Sequence, residues 1–392
     1  MKIAIVVNSF PTISESFIVN KVIGLNEKGF EITVIAFNKK NDASFYRGRL
    51  KNKRIKKLYV PNGNNPFQVL GYFLRYPIRF VKLVFVVIRK FGIGKDSMKN
   101  FLKAIPYKVA NFDIVHFEMS GIAADNAEIL DLIKPAKLYL SCRGSAEKVK
   151  PLIDQDRRKI LNEVFQKADR VHCVSEDMLG TVERYGLKKE KGFINRPAIF
   201  PDLFHRSNEY TEHEQLRILT VGRLNWQKGY VFALKAMQQL KADGLNFLYE
   251  IIGAGEDLPM MTYLIDEFKL QDHVLLLGKQ SGATVRNKLE SSDVFLLPSL
   301  YEGISNAALE AMAMEVPVLS TKSGGMEEAI DDGMSGYLVE CASPEQIAHR
   351  LHEIASDFEN RKKIGQGGKE KILKEFQMSR QVEIFDKEYR SN

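Results

Sequence analysis

The sequence predicts an α/β protein made of two successive parallel sheets, each wound with helices. Short apolar strands alternate with helix-period segments along almost all of the 392 residues, an order that builds parallel sheets through right-handed crossovers. The alternation stops once, between Asn195 and Gln215, where Pro197, Pro201 and the run Ser207-Asn208-Glu209-Tyr210-Thr211-Glu212-His213-Glu214 give a linker signal. The length supports two or three domains at roughly 100–200 residues each.

Before the break, strands are expected at 2–7, 32–37, 113–117, 137–141 and 170–174, with helices at 16–28, 123–133, 156–167 and 176–185. After it, strands are expected at 217–221, 248–252, 273–278, 294–297 and 316–320, followed by 50 charged, helical residues. The domains are placed at 1–200 and 201–375, both Rossmann-like, with a terminal helix over about 376–392 expected to pack back on the first. Two such halves facing one another place a ligand cleft at the carboxyl ends of the strands.

A composition of 45% hydrophobic and 27% charged residues excludes collagen, low-complexity disorder and a disulfide-stapled miniprotein. Cys142, Cys173 and Cys341 are widely spaced and form no CxxC pair, so no metal or disulfide framework is legible and a reducing cytosol fits. Met1 to Val7 reads as a strand and not as the apolar core of a signal peptide. No uncharged run reaches the roughly 20 residues of a membrane span. A soluble protein is expected.

The net charge of +8 is concentrated. No acidic residue lies between Asp42 and Asp96, an interval holding thirteen cations from Arg47 to Lys95. The remainder, 57 − 13 = 44 basic against 49 acidic residues, carries −5. Between Val69 and Ile88 apolar residues recur at helical spacing, with Arg75, Arg79, Lys82 and Arg89 on another face. This predicts one amphipathic basic helix, kinked at Pro77. Docking of 47–95 on an anionic membrane surface is weighed against a packed helix with a solvated basic rim; nucleic acid is set aside.

The chemistry-bearing residues lie in the second half. The strand at 217–221 runs into Gly222-Arg223-Leu224, and Lys228-Gly229 opens a helix. A close-approach glycine and two cations at a helix N-terminus suit a diphosphate. After the strand at 294–297 comes Pro298-Ser299-Leu300-Tyr301-Glu302-Gly303-Ile304-Ser305-Asn306, and Glu310 follows on a helix that Ser305 or Asn306 can cap. A carboxylate one turn into that helix can accept from a pair of ribose hydroxyls, while the loop carboxylate and the first helical N–H groups can hold a sugar and a phosphate.

These stretches, with Gly324-Gly325-Met326-Glu327-Glu328, resemble the nucleotide-sugar signature of glycosyltransferase family 4, retaining enzymes of the GT-B fold. The likeness is strongest over 216–345. Phe10-Pro11-Thr12-Ile13-Ser14-Glu15-Ser16-Phe17-Ile18 further resembles the colanic-acid and amylovoran-type exopolysaccharide transferases. The resemblance implies that Arg223 and Lys228 bind the donor diphosphate, Glu310 the ribose and Glu302 the donor sugar. Gly222 and the backbone of Gly303, Ile304, Ser305 and Asn306 would meet sugar and phosphate, and Gly278-Lys279-Gln280 would be the base-binding loop. Where many relatives have Gly-Gly after the first strand this chain has Thr12-Ile13-Ser14-Glu15-Ser16, and where many have His-Gly it has Arg143-Gly144. Arg143 stays protonated and cannot be a general base, though it can stabilise a leaving diphosphate. Ser14, Glu15, Ser16, His116 and Arg143 are the acceptor-side candidates; for His116 a side chain pointing toward the cleft and a packed or capping histidine are the two readings.

Other signals are weighed and set aside. Gly253-Ala254-Gly255 lacks the third glycine of a dinucleotide fingerprint, Leu258 standing in its place. Asp154-Gln155-Asp156 matches a metal-binding Asp-x-Asp but precedes a helix whose dipole favours acids. His349 and His352 read as a solvated face. No G-x-S-x-G elbow is present. The expectation is a metal- and cofactor-independent glycosyltransferase at the inner face of the plasma membrane, taking a UDP-sugar and a glycan or lipid-linked glycan acceptor. The alternatives are a catalytically silent sugar-nucleotide-binding module of a membrane complex, a sucrose or glycan synthase of the same fold, and an NAD oxidoreductase.

Overall fold

A computed structural model describes residues 1–12, 15–39, 48–51, 53–61 and 66–391. Ser14 and Arg47 lie outside the described residues. The chain divides into two compact units, Met1–Asn195 with Gln381–Asn392, and Arg196–Arg380. The division falls at 195/196 where the sequence reading has 200/201, and the chain returns to the first unit within its terminal helix.

Among the described residues the first unit holds seven parallel strands: β1 (Lys2–Val7), β2 (Glu31–Ala36), β3 (Lys56–Tyr59), β4 (Ile114–Phe117), β5 (Lys137–Cys142), β6 (Arg170–Cys173) and β7 (Gly192–Ile194). Their spatial order is β3-β2-β1-β4-β5-β6-β7. The second unit holds six: β8 (Leu216–Val221), β9 (Phe247–Ile252), β10 (Val274–Gly278), β11 (Val294–Leu297), β12 (Val318–Thr321) and β13 (Tyr337–Val339), in the order β10-β9-β8-β11-β12-β13. In both, the order reverses beside the first strand of the unit, the switch point where doubly wound sheets bind ligands at their carboxyl edge. β1 and β4, and β11 and β12, are buried along most of their length, as strands covered on both faces must be.

β3, β7 and β13 escape a pattern search for physical reasons. β3 is a half-exposed edge strand whose lysines break the apolar run while blunting the edge. β7 and β13 have three residues each, too few for a period. The helix expected at 123–133 is broken, into Ser120–Ala124 and Leu130–Ile133, because Asn126 Nδ2 donates to the Ile122 carbonyl at 2.7 Å and closes a turn.

Two further expectations need correction. The basic segment is not one kinked helix. α2 (Pro66–Arg75) ends, Tyr76 intervenes, and Pro77 starts α3 (Pro77–Phe91) at a position where its missing N–H costs nothing. A third helix, α4 (Lys95–Ala110), then leads into β4. Nor is the polar run near 207–214 a free tether. It straps onto the second unit: Ser207 and Asn208 donate backbone N–H groups to Glu290, Tyr210 donates its hydroxyl to the Asp293 carbonyl, and His213 lies 3.1 Å from the Asp293 carboxylate.

Candidate functional site

β8 and β11 pair at the switch point of the second sheet. From the carboxyl end of β8 the chain turns through Gly222-Arg223-Leu224, a loop laid against Gly253 and Gly255. A Cβ on Gly253 would fall 1.8 Å from the Gly222 carbonyl oxygen, and one on Gly255 would fall 2.0 Å from that of Leu224. These glycines therefore serve loop-on-loop packing, which accounts for the partial dinucleotide fingerprint. Arg223 is exposed, and its side chain has no partner among the described residues, as is true of Lys279 beyond Gly278.

Lys228 stands immediately before α5 (Tyr230–Ala242), whose N-cap is Gly229 at φ +67°. Only glycine fits there, since a Cβ would lie 2.0 Å from the Pro298 carbonyl oxygen. That close approach brings the post-β8 loop against the post-β11 loop. Leu300 N–H donates to Gln227 at 2.8 Å, and Gln227 Nε2 donates to the Tyr301 carbonyl at 3.1 Å. The juxtaposition puts Lys228 Nζ 2.5 Å from Glu302 Oε1, with the Ser299 hydroxyl donating to the same oxygen at 2.7 Å. Both charged side chains are largely shielded, so the pair is held in a medium where its charges act strongly.

α6 (Asn306–Ala313) starts at Ser305, whose hydroxyl accepts from Ala308 N–H. The Gly324-Gly325 turn packs beneath this start: a Cβ on Gly325 would lie 1.7 Å from the Gly303 carbonyl oxygen. Glu310 sits on the first turn and a half of α6, half-buried, and its carboxylate has no partner among the described residues. Burial raises its pKa from the ordinary carboxylate value to about 7. Three more polar atoms around these loops are buried without a hydrogen bond: Asn225 Oδ1, the Tyr230 hydroxyl and Asn306 Oδ1. An orphaned polar atom is costly, and the Glu310 carboxylate and the exposed Arg223 guanidinium, both beyond strand ends of one sheet, suit a ligand that is anionic at one end and rich in hydroxyls.

The raised carboxyl makes stability depend on pH. The folded chain keeps the Glu310 proton up to about pH 7, whereas the unfolded chain releases it near 4.5, so this group lowers stability as pH rises through that window. Glu310→Gln is expected to raise the melting temperature of the second unit at pH 8 and to leave it unchanged at pH 5. Calorimetric scans at the two pH values check this, and equal shifts at both would refute it.

The carboxyl edge of the first sheet is organised around Glu118, just beyond β4. It is fully buried and receives Lys21 Nζ at 2.6 Å and Arg143 Nη2 at 2.8 Å. Burial alone would raise this carboxyl, but the two cations hold it below its ordinary value. Lys21 comes from α1 (Ser16–Glu27), and burial lowers its pKa to about 8 against the pull of Glu118. Arg143, beyond β5, lies 4.4 Å over the Phe17 ring and stays partly accessible. Glu15 accepts from the Thr12 hydroxyl at 3.1 Å, and Ser16 opens α1.

His116 takes the packed alternative of the sequence reading. It does not face a cleft but is wholly buried, with Nδ1 3.2 Å from Lys21 Nζ and 2.6 Å from the Tyr389 hydroxyl, and Nε2 2.8 Å from the Ser141 hydroxyl. Burial first, then Lys21 and Arg143, push it well below its usual pKa, so it is a neutral structural group. The chain of bonds continues through Ser141 to His172 at 2.8 Å and on to the Asn195 carbonyl at 2.7 Å. Asp154 caps the helix Gln155–Lys167 by accepting from Arg157 N–H, and Asp156 pairs with Lys159. His349 and His352 pair with Glu353 and Asp243 on the surface.

Residues 204–371 match the family described as glycosyl transferases group 1. This chain carries a group 1 glycosyltransferase domain. It is 27% identical to the Escherichia coli K12 colanic acid biosynthesis glycosyltransferase WcaL, across 96% of each chain. It is 29% identical to the Erwinia amylovora amylovoran biosynthesis glycosyltransferase AmsK, across 90% of this chain and 89% of that one. The Anabaena HepE structure, solved with UDP and glucose, superposes over 100% of both chains at a TM-score of 0.75 and 14% identity. The two parallel sheets are those of the GT-B fold. Within the glycosyltransferase domain, Lys228 and Glu302, both named from the sequence, meet, and Glu310 stands on the helix after the same loop; Ser299, Asn225 and Tyr230 were not singled out from the sequence. Ser299 carried a usable signal, a small hydroxyl in the loop that immediately follows a fully apolar strand; the other two carried none.

Proposed function

We propose that this protein is a retaining glycosyltransferase that moves a sugar from a nucleotide-diphospho-sugar, a UDP-sugar, to a growing lipid-linked glycan in exopolysaccharide assembly. The observation that carries the reading is the partnerless Glu310 carboxylate on the same sheet edge as the Lys228–Glu302 pair and the free Arg223 side chain. In this reading Glu310 accepts from the ribose hydroxyls, and Arg223 and Lys228 hold the diphosphate with the first N–H groups of α6. Glu302, released from Lys228, accepts from the donor sugar's hydroxyls. Gly278 and Lys279 flank the base.

The bond from the anomeric carbon to the leaving phosphate oxygen breaks, and one to the acceptor oxygen forms on the same face. The acceptor's proton goes to the departing phosphate. The chain contributes fixed positive charge where negative charge grows, which is the form of stabilisation that transfers of this kind depend on most. Lipid-linked acceptors and the acid-free basic stretch 47–95 together favour work at an anionic membrane surface. No helix among the described residues is long and apolar enough to cross a membrane.

The test is transfer of radiolabelled sugar from UDP-, GDP- and ADP-sugars into the lipid-extractable fraction of the source cell's membranes, with EDTA present. Label from one donor, joined with its anomeric configuration preserved as read by NMR, is the expected result. Loss of transfer in EDTA with recovery in Mn²⁺, or an inverted product, would overturn this mechanism.

A further inference from the structure

α3 exposes an apolar stripe. Ile78, Val81, Phe85 and Ile88 follow one another at helical spacing and are 73%, 45%, 70% and 42% exposed. Scattered exposed apolar residues are ordinary, but a contiguous strip of them marks a contact surface. Ile93 in the turn beyond α3, and Phe67 and Leu74 on α2, are strongly exposed as well.

Beside this stripe opens a cavity of about 180 Å³, between α3, the end of α4 and the segments that lead into β4 and β5. Arg79, Lys82 and Lys108 line it together with Leu83, Phe112 and Pro135, and no carboxylate does. Arg79 Nη1 donates to the Val109 carbonyl at 3.0 Å, and Lys108 Nζ donates to that of Lys134. Lys82 has no side-chain partner among the described residues. None of the three is neutralised by an acid. Elsewhere in the basic segment, Lys53 and Lys90 are neutralised, by Glu27 and Asp131. Lys51, Arg54, Lys56, Lys57, Arg75, Arg89 and Lys95 likewise form no ion pair among the described residues; what distinguishes Arg79 and Lys82 is that they line the cavity and adjoin Ile78 and Val81 on the helix.

We propose that this cavity seats the headgroup phosphate of an anionic phospholipid while the α3 stripe enters the acyl boundary. Three cations over an apolar lining match a phosphate attached to hydrocarbon, and neither half of the site alone would retain one. A free phosphate would leave the stripe in water; an apolar partner would strand three cations without counter-charge. The proposal rests on the reading that 47–95 faces a bilayer, and it names the part of that segment that reads the lipid.

The test is flotation with phosphatidylcholine vesicles, with and without phosphatidylglycerol, at low and high salt. The wild-type chain is expected to float only with phosphatidylglycerol. At roughly a factor of five for each cation engaged with an anionic leaflet, Lys82→Ala with Lys108→Ala should lower partitioning about thirtyfold. Lys188→Ala with Lys189→Ala removes the same charge beside the edge strand β7, outside the cavity lining, and should change it less than threefold. Ile78→Ser with Phe85→Ser should also lose flotation, and Lys82→Glu, at an exposed position, repeats the first test without risk to folding. Equal losses from the two lysine pairs would overturn the cavity in favour of diffuse attraction. Stabilisation by inorganic phosphate without flotation would make it a free-anion site and overturn the lipid. Failure of the wild type to float while it still binds a nucleotide-sugar would end the docking and leave glycosyl transfer standing.

Discussion

Lys228→Ala is expected to lower turnover by about 10²–10³-fold, the loss seen when one preorganised charge-stabilising donor is removed from a transfer site. The lysine is fixed before any donor arrives, by the close approach of Gly229 to Pro298 and by its 2.5 Å contact with Glu302. Its ammonium needs little reorganisation to meet a diphosphate. The alanine variant loses that charge and also leaves the Glu302 carboxylate shielded from water with only the Ser299 hydroxyl beside it. Glu302→Gln separates the two contributions: it keeps the cation and should reduce kcat more than donor affinity. Initial rates at saturating and limiting donor distinguish these outcomes, and a Lys228→Ala enzyme with wild-type rates would remove the lysine from the site.

The largest effect on stability is expected from Glu118→Ala. Lys21 and Arg143 converge on this one carboxylate, and Lys21 has almost no access to water. Removing one partner of a buried ion pair costs about 3–5 kcal/mol, because the remaining charge is left without compensation. Here two cations would be stranded, one of them 3.8 Å over the Phe385 ring on the terminal helix. The unfolding transition of the first unit should move down accordingly in urea, with the second unit's transition unchanged. A loss below 1 kcal/mol would show that water or a rearranged side chain takes over the carboxylate's role.

These two sites were unequally legible in the sequence. Lys228, Glu302 and Glu310 stand in short loops and helix starts right after strands, where chemistry-bearing residues are local and their spacing is informative. The strands that were legible followed from apolar runs buried on both faces, which also explains why the cationic edge strand β3 was lost. The Glu118 cluster had no such signature. Lys21 and Glu118 are 97 residues apart and His116 and Tyr389 are 273 apart, so only the folded sheet and the returning helix bring them together. That is why His116, on a strand end, could be read either as a cleft residue or as a packed one, and only the fold shows it to be a buried link. Gly253 and Gly255, set aside as a dinucleotide fingerprint, owe their pattern to a neighbouring loop and not to a ligand.

The central claim is that the second unit holds a nucleotide-sugar on Lys228 and Glu310. Isothermal titration of UDP-, GDP- and ADP-sugars into the intact chain, its Lys228→Ala variant and its Glu310→Gln variant tests it directly. One class of binding site is predicted, for the UDP-sugar, with affinity lowered at least tenfold in both variants, since losing a hydrogen bond to a charged group costs about 1.5–3 kcal/mol. No heat from any nucleotide-sugar, or equal affinity in all three proteins, would contradict the account.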